Sequence, residues 1–384
     1  MISVPQQIAT LPRSGIRELM SLALATPGVI RLEMGEPHFP TPAAILNQLQ
    51  DFYSQGEIKY TPTVGISSLR SKFADKLKRE RGWSISSEQI IALPGSLFGT
   101  VTVFRTLLEP GDEVLVPDPG FTNHFSQVVL CGGVPKPYFL LPENDFLPDL
   151  SEIKSAITSK TKIILVNTPS NPVGVIFPPS VLEEIGKMAE EFDLLVIADE
   201  AYEKFIYQGE YHGLYDFVSP ERLISTFSFS KTYALSGWRI GCMVSPRELV
   251  MPLAKVAEYI IACSSHLSQK AAEVALDLPE EEVNNMVEYY RQNALLASRE
   301  LEQAGFSFFP PQGGYYVWVD IREFGRPSLD FCKDFLQSEK VALAPGSAFG
   351  QKGEGFVRLS ICRQREEVKE GISRLARFRK EQRK

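Results

Sequence analysis

The chain has 384 residues, which at roughly 100–200 residues per domain suggests two domains, or one large and one small. A hydrophobic fraction of 44% and a charged fraction of 23% are ordinary for a globular protein and count against wholesale disorder. The net charge of −7 argues against a general nucleic-acid or membrane surface, and the basic stretch Arg374 to Lys384 reads as a solvated helix end.

The five cysteines, Cys131, Cys242, Cys263, Cys332 and Cys362, form no C-x-x-C pair, and their odd number argues against a disulfide framework. A reducing cytoplasm is the expected compartment. The stretch Met1 to Gln7 has neither a basic n-region nor an apolar h-region, so no signal peptide is expected. No apolar run approaches the ~20 residues of a membrane span. The four histidines are scattered and no H-E-x-x-H occurs, so no metal site is expected.

In chain order, Gly15 to Ala25 has helical spacing, and Ile30 to Pro42 is an irregular connection rich in Gly and Pro. A helix is predicted from about Pro42, with Thr41 as its N-cap. Another helix runs through Leu69, Phe73 and Leu77. From there short apolar strands alternate with helices. Strands are predicted at 89–93, 113–116, 134–141, 162–166 and 194–198, and helices at 96–108, 121–130 and 181–192. Such alternation means a mostly parallel sheet covered on both faces, with ligands outside the carboxyl ends of the strands. Leu223–Phe227 and Ile240–Val244 are strands joined by an irregular loop. That loop is too short for an ordinary helical crossover, so Ile240–Val244 is expected to run antiparallel. A long helical stretch from Ser268 to Leu301, then short strands and helices, suggest a smaller α+β domain.

Four stretches carry chemistry. Ser228-Phe-Ser-Lys-Thr-Tyr-Ala-Leu-Ser-Gly-Trp-Arg-Ile-Gly241 sets Lys231 among small hydroxyl residues, with Arg239 shortly after it. A lysine so placed suits an imine with an aldehyde cofactor, and the arginine suits that cofactor's phosphate. Pro94-Gly-Ser-Leu-Phe-Gly99 joins a strand to a helix start; it either holds a phosphate on the backbone of Gly95, Ser96 and Leu97 or is a plain tight turn. Asp199 ends an apolar strand, where it either caps the next helix or faces a protonated ring nitrogen. Asn171, between turn formers, is either an Asx-type turn or a held amide.

These stretches, with Met34-Gly-Glu-Pro-His-Phe-Pro-Thr-Pro42, Tyr60-Thr-Pro-Thr-Val-Gly65, Asn167-Thr-Pro-Ser-Asn-Pro-Val-Gly174 and Gly355-Phe-Val-Arg-Leu-Ser360, give the whole chain a resemblance. It resembles the fold-type I pyridoxal-phosphate enzymes, specifically the class I/II aminotransferases related to bacterial aspartate aminotransferase. The resemblance implies an α/β fold: a large domain with a mostly parallel seven-stranded sheet covered by helices, plus a smaller α+β domain. It further implies an N-terminal arm and part of the small domain at 1–44, a large cofactor domain at 45–278 and a small C-terminal domain at 279–384.

The resemblance also implies roles. Lys231 holds pyridoxal 5'-phosphate as a Schiff base and then acts as the catalytic base, and Asp199 keeps the ring nitrogen protonated. Asn171 and Tyr202 bond the ring hydroxyl, and Phe121 stacks on the ring. The Gly95 turn, Ser96, Leu97, Ser228 and Arg239 hold the phosphate, with Tyr60 arriving from a neighbouring subunit. Arg358 clamps the substrate carboxylate beside Asn171 and Gly35. His124 is either in contact with Asp199 or a satisfied core histidine. Val173 stands where the family usually has threonine, and Leu97 supplies no side-chain donor.

The expected protein is a homodimeric aminotransferase acting on an amino acid and a 2-oxo acid, 2-oxoglutarate first among them. The alternatives are β-elimination on the same fold and a non-catalytic cofactor-sensing module. The side-chain pocket is expected near Ile16-Arg17, Gly35–Phe39 and Tyr315, with the neighbour's residues around Tyr259–His266.

Overall fold

Strands of four to seven residues, each followed by a return segment, assemble one sheet in which both faces are covered. The computed structural model describes residues 4, 6–9, 11 and 15–382. The main sheet comprises β1 (Ile90–Leu93), β2 (Glu113–Asp118), β3 (Val134–Phe139), β4 (Thr161–Asn167), β5 (Leu195–Asp199), β6 (Leu223–Ser228) and β7 (Gly241–Val244). Their spatial order is β1-β7-β6-β5-β4-β2-β3. Strands β2 to β6 are mutually parallel where they pair. β7 is antiparallel to both β1 and β6, as its short lead-in predicts.

Alternation along each strand feeds two cores. On β4, Ile164 and Val166 enter the cluster on one face, while Ile163 and Leu165 enter the cluster on the other. Both faces are therefore dry, the usual condition of a parallel sheet.

Four further strands, β8 (Phe308–Phe309), β9 (Tyr316–Asp320), β10 (Ala344–Pro345) and β11 (Phe356–Ser360), form a second, antiparallel sheet in the order β10-β11-β9-β8. Its buried residues Val317, Val319 and Leu359 pack with Leu19 of helix α1 (Gly15–Leu24) and with Leu32. The fold is thus α/β, with a large mixed sheet and a smaller antiparallel one.

Local chemistry moved some element boundaries. Helix α2 (Ala43–Ser54) starts one residue later than expected, with Pro42 at its cap; the Thr41 hydroxyl accepts from Trp238 Nε1 at 3.0 Å instead of capping. The Lys231 segment is not an irregular loop. Helices α3 (Ser96–Leu107) and α4 (Thr122–Leu130) follow β1 and β2, and a one-turn helix α5 (Phe229–Thr232) follows β6, its Ser230 amide donating to the Ser228 hydroxyl. The long C-terminal helical stretch is two helices, α6 (His266–Ala275) and α7 (Glu280–Gln303), because Pro279 biases Leu278 away from helix and stands as the cap of α7.

Candidate active site

Parallel strands deliver the residues at their carboxyl ends to one edge. β5 ends at Asp199, β4 at Asn167 and β6 at Ser228. The reversed direction of β7 brings its start to the same edge, since Gly241 pairs with both Leu93 and Ser228. Arg239 and Gly95, each two residues beyond a strand end, therefore meet. With Lys231 and with Arg358 and Tyr316 of the second sheet, they line a cavity of about 440 Å³.

One part of this cavity suits an anion. Gly95 has φ of 88°, a conformation that costs glycine little, and a Cβ there would stand 3.0 Å from Arg239 Nη2. The first-turn amides of α3, at Ser96 and Leu97, have no acceptor within the helix and lie at its positive end. Arg239 is oriented by donating from Nη1 to the Ser236 carbonyl at 2.9 Å. The hydroxyls of Ser228 and Ser230 face the same cavity; Ser230 Oγ lies 3.5 Å from Arg239 Nη1. A guanidinium, two hydroxyls and a helix start form a set that fits a phosphate. Ser230 was not singled out from sequence, although its place in the Ser-x-Ser-Lys string could have marked it.

Lys231 projects from α5, and its Nζ donates to the Gly35 carbonyl. It makes no ion pair among the described residues, so its amine is free to form a covalent link. Its own carbonyl accepts from the Tyr315 hydroxyl at 3.0 Å. Tyr315, in the bend just before β9, is fully buried behind the site; the pocket tyrosine is instead Tyr316, the first residue of β9.

Asp199 is buried and doubly held. Its Oδ2 lies 3.2 Å from His124 Nε2, and its Oδ1 accepts from the Ala201 amide at 3.3 Å. His124 thus stands against Asp199, and Phe121 meets the His124 ring edge-on at 5.2 Å. Asn167 joins two site segments: it donates to the Asp199 carbonyl at 3.0 Å and accepts from the Asn171 amide at 2.8 Å. Tyr202 and Tyr316 share a hydrogen bond of 2.9 Å between their hydroxyls. Burial, then the neighbouring Tyr316, pushes the Tyr202 phenol well above its usual range, so it remains an O–H at neutral pH.

Arg358 is only 3% exposed. It donates from Nη1 to Asn171 Oδ1 at 2.9 Å and from Nη2 to the Glu33 carbonyl at 2.6 Å. No carboxylate pairs with it among the described residues. A buried guanidinium without a counter-charge is costly, and a ligand carboxylate in the adjoining cavity would relieve that cost. Arg17, on α1, also lines the cavity; its Nη1 donates to Met20 Sδ at 3.6 Å. Glu36 on the same wall accepts from Ser236 Oγ at 2.6 Å.

Two further placements stand out. Tyr60 lies outside the cavity and is 92% exposed, and Tyr259 is 83% exposed. Behind the Asp199–Tyr202 segment lies a buried ionic cluster that sequence reading passed over. Arg81 pairs with Glu200 at 2.8 Å and with Glu203, and Lys76 pairs with Glu80 at 2.8 Å and Glu203 at 3.5 Å. Lys76 and Glu80 are one helical turn apart, but Glu200 and Glu203 come from a distant segment, so nothing local marked their pairing with Arg81 and Lys76.

The family model for "Aminotransferase class I and II" matches residues 27–375. An aspartate aminotransferase of Pyrococcus horikoshii is 33% identical over 97% of this chain and 96% of its own length. Aromatic-amino-acid aminotransferase 2 of Thermococcus litoralis is 34% identical over 96% of each. The crystal structure of the Thermotoga maritima aspartate aminotransferase superposes with a TM-score of 0.94 at 31% identity, over 98% of this chain and 100% of that one. Spanning nearly its full length, these likenesses show that the chain belongs to the class I and II aminotransferases, enzymes that work with pyridoxal phosphate.

Proposed function

We propose that this enzyme transfers the amino group of an L-amino acid to 2-oxoglutarate, with Lys231 as both cofactor anchor and base. The observation that carries the assignment is the meeting of Lys231, Asp199, Arg239 and Arg358 in one cavity, although they are scattered over the chain. Ser96, Leu97, Ser228 and Arg239 would hold the phosphate, Asp199 the ring nitrogen, and Tyr202 and Asn171 the ring hydroxyl, with Phe121 against the ring. When bound, the protonated ring supplies an acceptor for the electrons released at the substrate Cα. Lys231 Nζ would take the proton from the substrate Cα and pass it to the cofactor carbon that carried the aldehyde, while Arg358 would fix the substrate's α-carboxylate so that this proton faces the amine.

Arg17 favours a dicarboxylic acceptor, since it adds to the cavity wall a further cation with no ion pair among the described residues. The exposed Tyr60 and Tyr259 support a homodimer in which Tyr60 of a second copy completes the phosphate site. Five free cysteines favour a cytoplasmic setting. We also read the chain as an arm at 1–44, a large unit at 45–278 and a small one at 279–384; the packing of Leu19 and Leu32 with Val317 and Leu359 supports assigning part of the arm to the small unit.

A panel of amino donors, each assayed with and without 2-oxoglutarate, tests the reading. Keto acid should form in proportion to the acceptor consumed. Ammonia release without an acceptor would point to β-elimination and sink the proposal.

A further inference from the structure

We propose that Tyr316 is a positioning residue with two separable duties: its hydroxyl directs the Tyr202 proton toward the cofactor ring, and its aromatic face holds the Arg358 guanidinium in place for the substrate carboxylate. The first duty rests on the proposed role of Tyr202; the second stands on geometry alone.

Strand register brings the two side chains together. On the antiparallel pair β9–β11, Tyr316 lies opposite Ser360 and Trp318 opposite Arg358. Tyr316 and Arg358 are therefore diagonal neighbours on one face of the sheet, within reach of long side chains. The guanidinium carbon sits 3.9 Å from the centre of the Tyr316 ring and 4.7 Å from that of Phe349. Each terminal nitrogen spends one N–H, on Asn171 and on the Glu33 carbonyl, and keeps a second, while Nε has no hydrogen-bond partner among the described residues. Flat contact with an aromatic face is favourable and fixes the plane in which the fork can bind a carboxylate.

The hydroxyl argument is one of counting. Each phenol has a single proton, and the two oxygens are 2.9 Å apart. If Tyr202 gives its proton to the ring oxygen of the cofactor, the proton shared between the two phenols must come from Tyr316. Tyr316 then donates, Tyr202 accepts, and the Tyr202 proton is turned outward. The Tyr316 hydroxyl has little freedom to leave this post. It lies under Gly35, where an added Cβ would overlap it, and the Gly35 carbonyl is in turn held by Lys231. One hydroxyl thus sits where the segments carrying Gly35, Tyr202 and Arg358 converge.

Tyr316→Phe removes the hydroxyl and keeps the ring; Tyr316→Leu removes both. Each variant and the wild type are prepared with pyridoxal phosphate. Two quantities are read: the pH at which the visible spectrum changes, and the affinity for succinate followed through that spectrum. A hydrogen bond to the ring oxygen favours its more negative form, the one present above the transition, so weakening the bond moves the transition to higher pH. Both variants should shift it upward by about half to one pH unit, the size expected for one ordinary hydrogen bond. Succinate affinity should stay within about two-fold in the Phe variant and fall about ten-fold in the Leu variant. An unmoved transition in both variants overturns the first duty, and equal succinate affinity in Phe and Leu variants overturns the second. A merely structural tyrosine would lower melting temperature in both and move neither quantity. If the wild type itself acquires no visible band, it is the cofactor-site reading that fails, not the role of Tyr316.

Discussion

On the main-sheet side of the cavity, Asp199, Lys231 and Arg239 stand at strand ends or just beyond them, whereas on the other side Tyr316 and Arg358 belong to a ladder of paired antiparallel strands. The first group is held by short-range devices: the Ser228 cap, the Ser236 carbonyl on Arg239, the Ala201 amide on Asp199. The second is held by register, so a slip on β9–β11 would turn both side chains away together. The two walls should therefore fail differently. Damage on the main-sheet side should remove chemistry, and damage on the small-sheet side should loosen substrate.

The sharpest break is Lys231→Ala. It removes the proposed anchor and base, and kcat should fall by about 10⁴-fold or more, with no borohydride-stable link to the protein. On the opposite wall, Arg358→Gln should lower kcat/KM for every carboxylate substrate by about 10²- to 10³-fold, mostly through KM, while the cofactor still binds. A cofactor-free Arg358→Gln protein would erase the contrast between the walls.

The main-sheet wall also has a foundation that the small-sheet wall lacks. Burial alone would raise the Glu203 carboxyl, but Lys76 and then Arg81 hold it down at about 2. Its folded value lies below the usual 4.5, so its contribution is fully present above about pH 4.5 and is lost as pH falls toward about 2. Glu203→Gln should cost on the order of 3 kcal/mol at pH 7 and flatten the loss of stability across that acid range. Glu200, pushed up by burial despite Arg81, opposes part of this effect. Denaturant titrations at pH 7, 4 and 3 measure both quantities; parallel curves for variant and wild type would remove Glu203 from the account.

The smallest expected effect belongs to Arg17, which is exposed and so partly screened. Arg17→Gln should raise KM for dicarboxylic substrates about five- to ten-fold and leave monocarboxylic ones unchanged. Equal changes for both classes would deny it a role in recognising a distal carboxylate.

This contrast also explains what could be read from the sequence. The strand–helix alternation announced the main sheet, and the short span before Gly241 announced the reversed β7. The Lys231, Asp199 and Asn171 strings were legible because strand-end groups come with their own turn residues as neighbours in the chain. Tyr316 was not legible. Tyr315 and Tyr316 are identical side chains side by side, and only the point at which the bend ends and β9 begins to pair with β11 decides which of them faces the cavity. The tie between Arg358 and the Glu33 carbonyl likewise joins segments more than three hundred residues apart, with no local trace in either. The Arg81–Glu203 cluster is of the same kind. Pro279 was visible but underweighted against the apolar periodicity on both sides of it.

The central claim is that Lys231 holds the cofactor. Wild-type protein incubated with pyridoxal phosphate, reduced with borohydride and digested should yield one modified peptide, with the pyridoxyl mass on Lys231. Modification spread over surface lysines with Lys231 untouched would contradict the account.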